Sequence, residues 1–279
     1  MSRISQCAAR AAAEGRGLLI PYLVAGDPDF ETSLEIMHEL VRQGADMIEL
    51  GVPFSDPSSD GPAIQRGAER ALAGGASLDG VLELAANFRA SDTQTPIVLM
   101  GYLNPIEIMG YAEFTERCAR ADVDGVLVVD MPPAEAGDLP ALLSGREIDR
   151  IFLVSPTTTA ARAKEIIEYT SCYLYYASLK GVTGAALEDR ESVAENIARI
   201  RGWTALPLVI GFGIRDVETA LAMSELGDGI IIGSALVERI GQLPGAAGRK
   251  AGQISETVAL IGAVRQTLDA RQGTGKHDS

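Results

Sequence analysis

Acidic side chains stand in and just after a short apolar run, where carboxylates can donate and accept protons. The segment ELGVPFSDPSSDGPAIQ covers residues 49–65, and Glu49 lies within the apolar run. Strand alternation would turn Glu49 toward the interior of a closed sheet, where desolvation raises the pKa of a carboxyl toward neutrality. Glu49 is then either a hydrogen-bonded structural carboxylate or a catalytic acid and base, and burial alone favours neither. Asp56 fits a turn or a helix cap, and only pairing with Glu49 favours chemistry at Asp60.

Three turns of small residues follow late apolar runs and could bind an anion. They are GVTG at 181–184, GFG at 211–213 and IGSA at 232–235. The last turn precedes LVER, so the backbone N–H groups of Gly233 and Ser234 could open a short helix and hold a phosphate. Glycine is the ordinary residue of tight turns, so any one of these turns is weak evidence. Three in succession predict a phosphate site.

Four other side chains that could carry chemistry are less informative. Tyr175 should point into the same interior, where an aromatic residue more often packs a core than reacts. Lys180 follows an apolar run closely enough to suggest a Schiff-base aldolase, but no apolar flank would lower its pKa, which favours a solvated loop lysine. His38 and His277 stand away from the ends of the apolar runs, and we assign them no chemistry.

The composition limits the partners and the compartment. The 279 residues carry a formal net charge of −14, which disfavours contact with nucleic acid and with anionic membrane surfaces. An anionic substrate therefore needs a local site built from oriented N–H groups. Cys7, Cys118 and Cys172 are odd in number and lack metal-like spacing, which predicts neither disulfides nor zinc and indicates a reducing compartment. No apolar stretch approaches the roughly 20 residues of a membrane span.

Short apolar and β-branched runs alternate with longer helix-period segments, the pattern of parallel strands covered by helices. The predicted strands are Leu18 to Val24, Met47 to Leu50, Ile97 to Met100, Gly125 to Val129, Ile151 to Val154, Tyr173 to Ala177, Leu208 to Ile210 and Gly229 to Ile232. The predicted helices between them include 31–42, 78–89, 106–120, 159–169, 192–200 and 217–226. Eight strands without a break in composition favour a closed α/β barrel, the (β/α)8 TIM barrel, over an open doubly wound sheet.

The other segments complete a single domain that spans residues 1–279. Ser5 to Glu14 is expected to form an extra N-terminal lid helix, and Ile254 to Leu268 the final helix of the ring. Residues 271–279 are expected to form a flexible tail. Insertions are expected in the loops after strands 2 and 6.

An internal repeat marks three of the returns from helix to strand. GADMIELG (44–51), DVDGVLVVD (122–130) and GDGIIIGS (227–234) each place an acidic turn before a buried strand. In such barrels the active site lies at the carboxyl ends of the strands. Glu49, Asp60 and the glycine turns are therefore expected to meet at one end of the barrel.

These motifs, in this order, resemble the tryptophan synthase alpha chain family over nearly the whole chain. They are PYLVAGDP (21–28), IELGVPFSDP with SDGP (48–62), GYLNPI (101–106), VVDMPP (128–133), KGVTG (180–184), GFGI (211–214) and GSALV (233–237). The resemblance implies a cytoplasmic lyase of tryptophan biosynthesis that splits indole-3-glycerol phosphate into indole and glyceraldehyde 3-phosphate. The chain departs from the usual family pattern at Leu179 and Lys180, after strand 6, and at Ser58 and Ser59, after strand 2. These departures bear on the closure of the loops after strands 2 and 6.

The resemblance also implies roles for individual residues. Glu49 resembles the family's general acid and base, Asp60 its partner carboxylate and Tyr175 its active-site tyrosine. The substrate-binding residues implied are Tyr22, Met100, Tyr102, Leu127, Thr183 and Phe212. The phosphate-binding residues implied are Gly184, Gly213, Gly233 and Ser234. A partner beta chain is expected to dock on Pro53, Asp56, Asn104 and Pro132.

The implied reaction is consistent with side-chain chemistry alone. Protonating indole C3 places positive charge on the ring nitrogen, which a second carboxylate can stabilise. The resemblance implies no metal and no cofactor in this chain, with pyridoxal phosphate only in the beta chain of an α2β2 assembly. Two alternatives stay open. One is a barrel enzyme that acts on another phosphorylated substrate, through isomerisation or a Schiff base at Lys180, and the other is a regulatory partner with poor turnover alone.

Overall fold

The computed structural model describes residues 1–177 and 190–275, which form a closed barrel of eight parallel strands. The strands are β1 Leu18–Val24, β2 Ile48–Gly51, β3 Ile97–Gly101, β4 Gly125–Val128, β5 Asp149–Val154, β6 Leu174–Tyr176, β7 Leu208–Ile210 and β8 Gly229–Ile232. Each strand pairs with the next along the chain, and β8 pairs with β1. The predicted barrel is confirmed, and the largest shift in a strand boundary is at β5, which begins at Asp149 rather than Ile151.

Helices surround the barrel and close one of its ends. They are α1 Arg3–Ala13, α2 Phe30–Arg42, α3 Pro62–Ala73, α4 Leu78–Arg89, α5 Leu103–Met109, α6 Tyr111–Arg120, α7 Leu139–Ser144, α8 Ala160–Tyr169, α9 Arg190–Arg201, α10 Val217–Ser224, α11 Ser234–Ile240 and α12 Gln253–Gly275. Short 3-10 helices also occur at Pro133–Glu135, before α7, and at Ala246–Gly248, before α12. In the described part of the chain no helix is long and apolar enough to cross a membrane.

Three helical regions differ from the sequence-based prediction, and one of them is the short helix α7, which was not predicted. The segment expected as one helix over 106–120 is two helices, because Gly110 has a φ of +84° that interrupts the helical backbone between α5 and α6. Helix α3 was not predicted. Its buried face consists of alanine and glycine, which give little of the apolar periodicity that marks a helix in sequence.

The expected tail and loop insertions are only partly within the described residues. Helix α12 continues to Gly275, beyond the expected start of the tail at Arg271, while residues 276–279 lie outside the described residues. The connection between β2 and β3 contains both α3 and α4. Most of the connection after β6, residues 178–189, lies outside the described residues, so both insertions stay predictions.

Helix α1 closes the N-terminal end of the barrel, as expected for a lid helix. Ile4 is buried, and its Cδ1 would lie 2.8 Å from a Cβ placed on Gly125 at the start of β4. The thiol of Cys7 donates a hydrogen bond to the Asp46 carbonyl oxygen at 3.3 Å, just before β2. Arg3 pairs with Asp124 at 2.6 Å. These contacts place α1 opposite the carboxyl ends of the strands.

The acidic turns of the internal repeat join neighbouring strands at their starts. Asp46, Asp124 and Asp228 precede β2, β4 and β8. Each carboxylate accepts a hydrogen bond from a backbone N–H at or near the start of the preceding strand, at 2.8 to 2.9 Å. Each also pairs with arginine: Asp46 with Arg16 and Arg265, Asp124 with Arg3 and Arg89, Asp228 with Arg201. The repeat therefore has a structural role at the N-terminal end of the barrel, away from the mouth, which is the end formed by the carboxyl ends of the strands.

Alternation along the strands separates two apolar layers. Outward side chains pack with the helices, and inward side chains fill the barrel. The inward, buried residues in the strands or directly before them include Leu18, Ile20, Tyr22, Met47, Val98, Leu127, Ile151, Tyr173, Tyr175, Val209 and Ile231. Glu49 on β2 pairs with the inward Tyr22 of β1, so it has the same inward direction.

The ion pairs of the acidic turns differ in burial, which predicts unequal contributions to stability. Asp124→Asn should lower the free energy of unfolding by about 3 kcal/mol, because it leaves the buried Arg89 guanidinium short of its charge partner. Asp228→Asn is the matched control, since Asp228 and Arg201 are 40% and 42% exposed, and it should lower that free energy by less than about 1 kcal/mol. Urea unfolding of both variants measures the difference, and equal losses would contradict this account.

Candidate functional site

Glu49 lies in the interior of the barrel at the level of Tyr22. The register pairs Glu49 with Tyr22 on β1 and with Val98 on β3, both of which belong to the inner layer. The Glu49 side chain is fully buried. Neither of its carboxylate oxygens has a hydrogen-bond partner among the residues that the structure describes. The expected inward direction is confirmed, whereas the alternative of a hydrogen-bonded structural carboxylate is not what these contacts show.

The two carboxyl groups of this region differ in pKa. Burial raises the pKa of Glu49 to about 8, and the nearby negative charge of Asp60 raises it further. Burial also raises the pKa of Asp60 to about 6, against a hydrogen bond from the Tyr102 hydroxyl that lowers it. At neutral pH Glu49 is therefore protonated and Asp60 is ionised. Two neighbouring carboxyl groups with separated pKa values can serve as an acid and a charge-stabilising base.

Tyrosine hydroxyls gather around Glu49. The Tyr175 hydroxyl donates to the carbonyl oxygen of Gly211 at 3.3 Å. Desolvation, and then the charge of Glu49, keep the pKa of Tyr175 well above its usual value, so the hydroxyl stays protonated. Tyr173 is also inward and buried, and its hydroxyl has no hydrogen-bond partner in the described part of the chain. No role was predicted for Tyr173, although its spacing of two from Tyr175 in an extended segment places both side chains on the same face.

Two glycines give these tyrosine rings the room they need. A Cβ on Gly51 would lie 2.2 Å from the Tyr22 hydroxyl oxygen, and a Cβ on Gly211 would lie 2.2 Å from the Tyr175 ring. Both distances are far below ordinary van der Waals contact. The close approach of ring to backbone therefore requires glycine at both positions.

Apolar side chains line the approach to Glu49. Leu127 is buried in the inner layer, and Met100 is half-buried against it. Val129, Leu153 and Ala177 are also partly exposed and pack on the same layer near the ends of their strands. Apolar surface of this kind suits an aromatic ring system. Tyr22, Met100 and Leu127 are thus brought together with Glu49, as the sequence predicts.

Tyr102 connects the loop after β2 to β3. Its hydroxyl accepts a hydrogen bond from the Ser59 backbone N–H at 3.1 Å, and its ring packs against Phe54 with centroids 5.3 Å apart. Because the Ser59 donor is a backbone group, the departure from the family pattern at Ser58 and Ser59 does not remove this contact. Tyr102 therefore lies beside Asp60, at the edge of the site.

Phe212 is not brought to the inner layer. Its ring packs against Tyr176, with centroids 5.6 Å apart, and Tyr176 belongs to the layer between sheet and helices. The ring is half-buried. A role for Phe212 at the substrate stays a prediction without support from these contacts.

Two of the three late glycine turns lie within the described residues, and a phosphate site at these turns stays a prediction. Gly213 has a φ of +72°, and no heavy atom of the described residues lies within 4 Å of a Cβ placed on it. Gly233 precedes α11, and Ser234 is the first residue of that helix, where N–H groups have no intrahelical acceptor. A Cβ on Gly233 would lie 3.6 Å from the Tyr22 ring, so the turn is next to the inner site. Thr183 and Gly184, like Leu179 and Lys180, lie outside the described residues.

The residues expected at a partner interface are unequally accessible. Asp56 and Asn104 are exposed, Pro132 is half-buried and Pro53 is buried. The Asp130 carboxylate accepts a hydrogen bond from the Leu103 backbone N–H at 2.8 Å, which joins the start of α5 to the loop after β4. Asn104 and Pro132 are therefore on linked segments, whereas burial of Pro53 does not support a direct contact.

Comparison with known proteins agrees with the motifs of the sequence. The family model described as tryptophan synthase alpha chain matches residues 8–268. Tryptophan synthase alpha chain of Laribacter hongkongensis is 50% identical over 97% of this chain and 100% of the relative. That of Nitrosococcus oceani is 47% identical over 98% of this chain and 99% of the relative.

Solved structures give the same result. The crystal structure of tryptophan synthase subunit alpha from Legionella pneumophila has a TM-score of 0.89 at 40% identity, over 97% of this chain and 99% of that one. A chain of the tryptophan synthase complex from Pyrococcus furiosus has a TM-score of 0.78 at 33% identity, over 88% of this chain and 98% of that one.

The raised pKa of Glu49 predicts a pH-dependent difference in stability between the wild type and Glu49→Gln. Between the usual pKa of 4.5 and about 8, the unfolded chain loses the Glu49 proton while the folded chain keeps it. The free energy of unfolding of the wild type, relative to the variant, should therefore fall by up to about 1.4 kcal/mol per pH unit in this range and level off above it. Urea unfolding from pH 5 to pH 9 measures this difference. Glu83→Gln, at an exposed position, is the control, and a difference independent of pH would contradict the burial of an unpaired acid.

Proposed function

The chain belongs to the tryptophan synthase alpha chain family, and we propose that Glu49 and Asp60 carry out its reaction at the barrel mouth. The family consists of lyases that split indole-3-glycerol phosphate into indole and glyceraldehyde 3-phosphate, a step of tryptophan biosynthesis, and this chain is one of them. The observation that carries the proposed roles is the buried Glu49 carboxyl, which has no hydrogen-bond partner among the described residues and a pKa of about 8.

The first proposed step is the transfer of a proton from Glu49 to indole C3. An acid with a pKa of about 8 holds its proton at neutral pH and can still release it to a carbon that becomes tetrahedral. The electron pair of the ring nitrogen forms the double bond to C2, and the nitrogen becomes positively charged. The Asp60 carboxylate, ionised above a pH of about 6, stabilises this charge or accepts the N–H proton.

The second proposed step is cleavage of the bond between indole C3 and the substrate's side chain. The electron pair of that bond returns to the indole ring, which neutralises the nitrogen, and if Asp60 has accepted the N–H proton it returns that proton to the nitrogen. The hydroxyl on the adjacent side-chain carbon loses its proton as the aldehyde forms. Glu49, ionised by the first step, accepts this proton and is restored. The balance of protons needs no further acid or base.

Binding of the two ends of the substrate is assigned to two neighbouring groups of residues at the mouth. Tyr22, Met100 and Leu127 supply the apolar wall for the indole ring, with Tyr102 and Tyr175 beside the carboxyl groups. The phosphate is assigned to N–H groups of Gly213, Gly233 and Ser234, and by family motif to Gly184. Backbone donors at a helix start suit a chain with a net charge of −14, because they attract an anion without surplus basic side chains. Thr183 and Phe212 are assigned to the substrate by family motif alone.

A beta chain is the partner of this family, and pyridoxal phosphate is bound by the beta chain and not by the alpha chain. We propose an α2β2 assembly in which the beta chain contacts Asp56, Asn104 and Pro132, with Pro53 beneath this surface. We also place the chain in the cytoplasm, where its three free and buried cysteines would stay reduced.

Indole release tests the role of Glu49. Glu49→Gln should lower kcat for indole formation from indole-3-glycerol phosphate by about 10³-fold, because an amide cannot supply a proton to C3. The assay is made with and without a beta chain, which also shows whether the chain turns over alone. Glu83→Gln should behave as the wild type. Near-normal turnover of the Glu49 variant would show that Glu49 is not the acid of this reaction. Absence of indole from the wild type under both conditions would contradict the proposed function.

Gly233→Asp tests the position of the phosphate. The added carboxylate should raise KM by at least roughly tenfold, about 1.4 kcal/mol, because it repels the anion at the same turn. Gly233→Ala is the matched control: a Cβ there would be 3.6 Å or more from its neighbours, so the turn should accept it with little change in KM. If both variants have the KM of the wild type, the phosphate binds elsewhere.

A further inference from the structure

We infer that Arg70 is a positioning residue for the phosphate turn: its ion pair with Asp27 orients a guanidinium that also contacts α11, so that Gly233 and Ser234 stand at a fixed place beside the inner site. The inference rests on the proposed function, because it takes the phosphate to bind at this turn. Arg70 itself is on α3 and is not proposed to contact the substrate.

The ion pair is a two-pronged contact with a deeply buried carboxylate. Arg70 Nε donates to Asp27 Oδ1 at 2.8 Å, and Arg70 Nη2 donates to Asp27 Oδ2 at 2.7 Å. The Asp27 side chain is 1% exposed, and it lies in the loop after β1. Two parallel hydrogen bonds between a guanidinium and a carboxylate fix orientation as well as distance. The pair therefore ties α3 to the end of β1.

The same guanidinium, which is 34% exposed, contacts α11 on one side. Arg70 Nη2 lies 3.5 Å from the carbonyl oxygen of Val237. A Cβ on Gly241, directly after α11, would lie 2.6 Å from Arg70 Nη2. A Cβ on Gly67 of α3 would lie 2.7 Å from Val237 Cγ1 and 3.2 Å from Asp27 Oδ2. Two glycines thus allow the helices to approach closely with the ion pair between them.

The part of α11 that Arg70 contacts is directly connected to the phosphate turn. The Val237 N–H donates to the carbonyl oxygen of Gly233 at 3.0 Å. On α3, the Cδ1 of Ile64 would lie 3.8 Å from a Cβ on Gly233. Asp60 comes two residues before the start of α3. Helix α3 therefore contacts the phosphate turn through Ile64, begins just after Asp60 and carries Arg70, which contacts α11.

A purely structural role and a positioning role differ in what they do to phosphate affinity. Loss of a structural contact lowers the free energy of unfolding and leaves the KM of the folded enzyme unchanged. Loss of a positioning contact lets α11 shift relative to α3, which weakens substrate binding at the phosphate end. The same shift should weaken binding of inorganic phosphate, which occupies only that end.

The experiment uses two variants of the full chain. Asp27→Asn with Arg70→Met removes both charges, so that no unpaired carboxylate is left buried and the fold is retained. Arg70→Lys keeps the positive charge but cannot form the two parallel hydrogen bonds of the guanidinium. KM and kcat for indole-3-glycerol phosphate and the inhibition constant of inorganic phosphate are measured for each, with the free energy of unfolding from urea titration.

In the double variant we expect KM and the phosphate inhibition constant to rise together by roughly tenfold, about 1.4 kcal/mol, with kcat within about threefold of the wild type. Arg70→Lys should show a smaller rise of both constants. Arg66→Met is the matched control, because Arg66 also joins α3 to α11, through Glu238 at 3.3 Å, but both side chains are more than half exposed. It should leave both constants unchanged.

Several outcomes would overturn the inference. Unchanged constants in the folded variants, with or without a loss of stability, would make the ion pair merely structural. A fall in kcat with an unchanged phosphate inhibition constant would also contradict it. Failure of the proposed function would be recognised by different results: no indole from the wild type, or a wild-type KM for Gly233→Asp.

Discussion

Burial of one carboxyl group without a hydrogen-bond partner is the constraint on which this site depends. An ionised carboxylate in such a place would be strongly disfavoured, so the group keeps its proton and its pKa rises to about 8. The closed barrel makes this possible because it surrounds Glu49 with apolar strands and tyrosine rings on every side. Gly51 and Gly211 contribute by letting the rings of Tyr22 and Tyr175 come close to the backbone. The same burial that disfavours the charge gives the group its chemical use.

The two ends of the barrel have separate tasks. At the N-terminal end, Asp46, Asp124 and Asp228 bond to strand starts and to arginines, and α1 covers the interior. These carboxylates bond to backbone N–H groups and to arginines, so they hold the strands together. At the other end, Glu49 has no such partner in the described residues. Acidic residues of one chain thus differ in role according to whether the fold supplies them with donors.

The proposed phosphate site depends on local charge and not on the net charge of the chain. The chain is acidic overall, yet the turn before α11 presents N–H groups that attract an anion. Such a site depends on where its backbone stands, because no long basic side chain can adjust to a displaced phosphate. This is the physical reason to look for residues that fix the helix, and the Asp27–Arg70 pair, whose guanidinium also contacts α11, is one such contact near the turn.

The eight strands and the inward direction of Glu49 could be predicted from the sequence, which also favoured a closed barrel over an open sheet. These follow from apolar runs and from the alternation of side chains, which depend only on neighbouring residues. Helix α3 and the break at Gly110 did not follow, because a small-residue helix face has no apolar period and a glycine is compatible with many conformations. Tertiary structure decided that Asp60 comes near Glu49, that Glu49 lacks a partner in the described residues and that Phe212 packs outward against Tyr176. Such facts depend on contacts between residues far apart in the chain, and the desolvation that separates the two pKa values exists only after the barrel has closed.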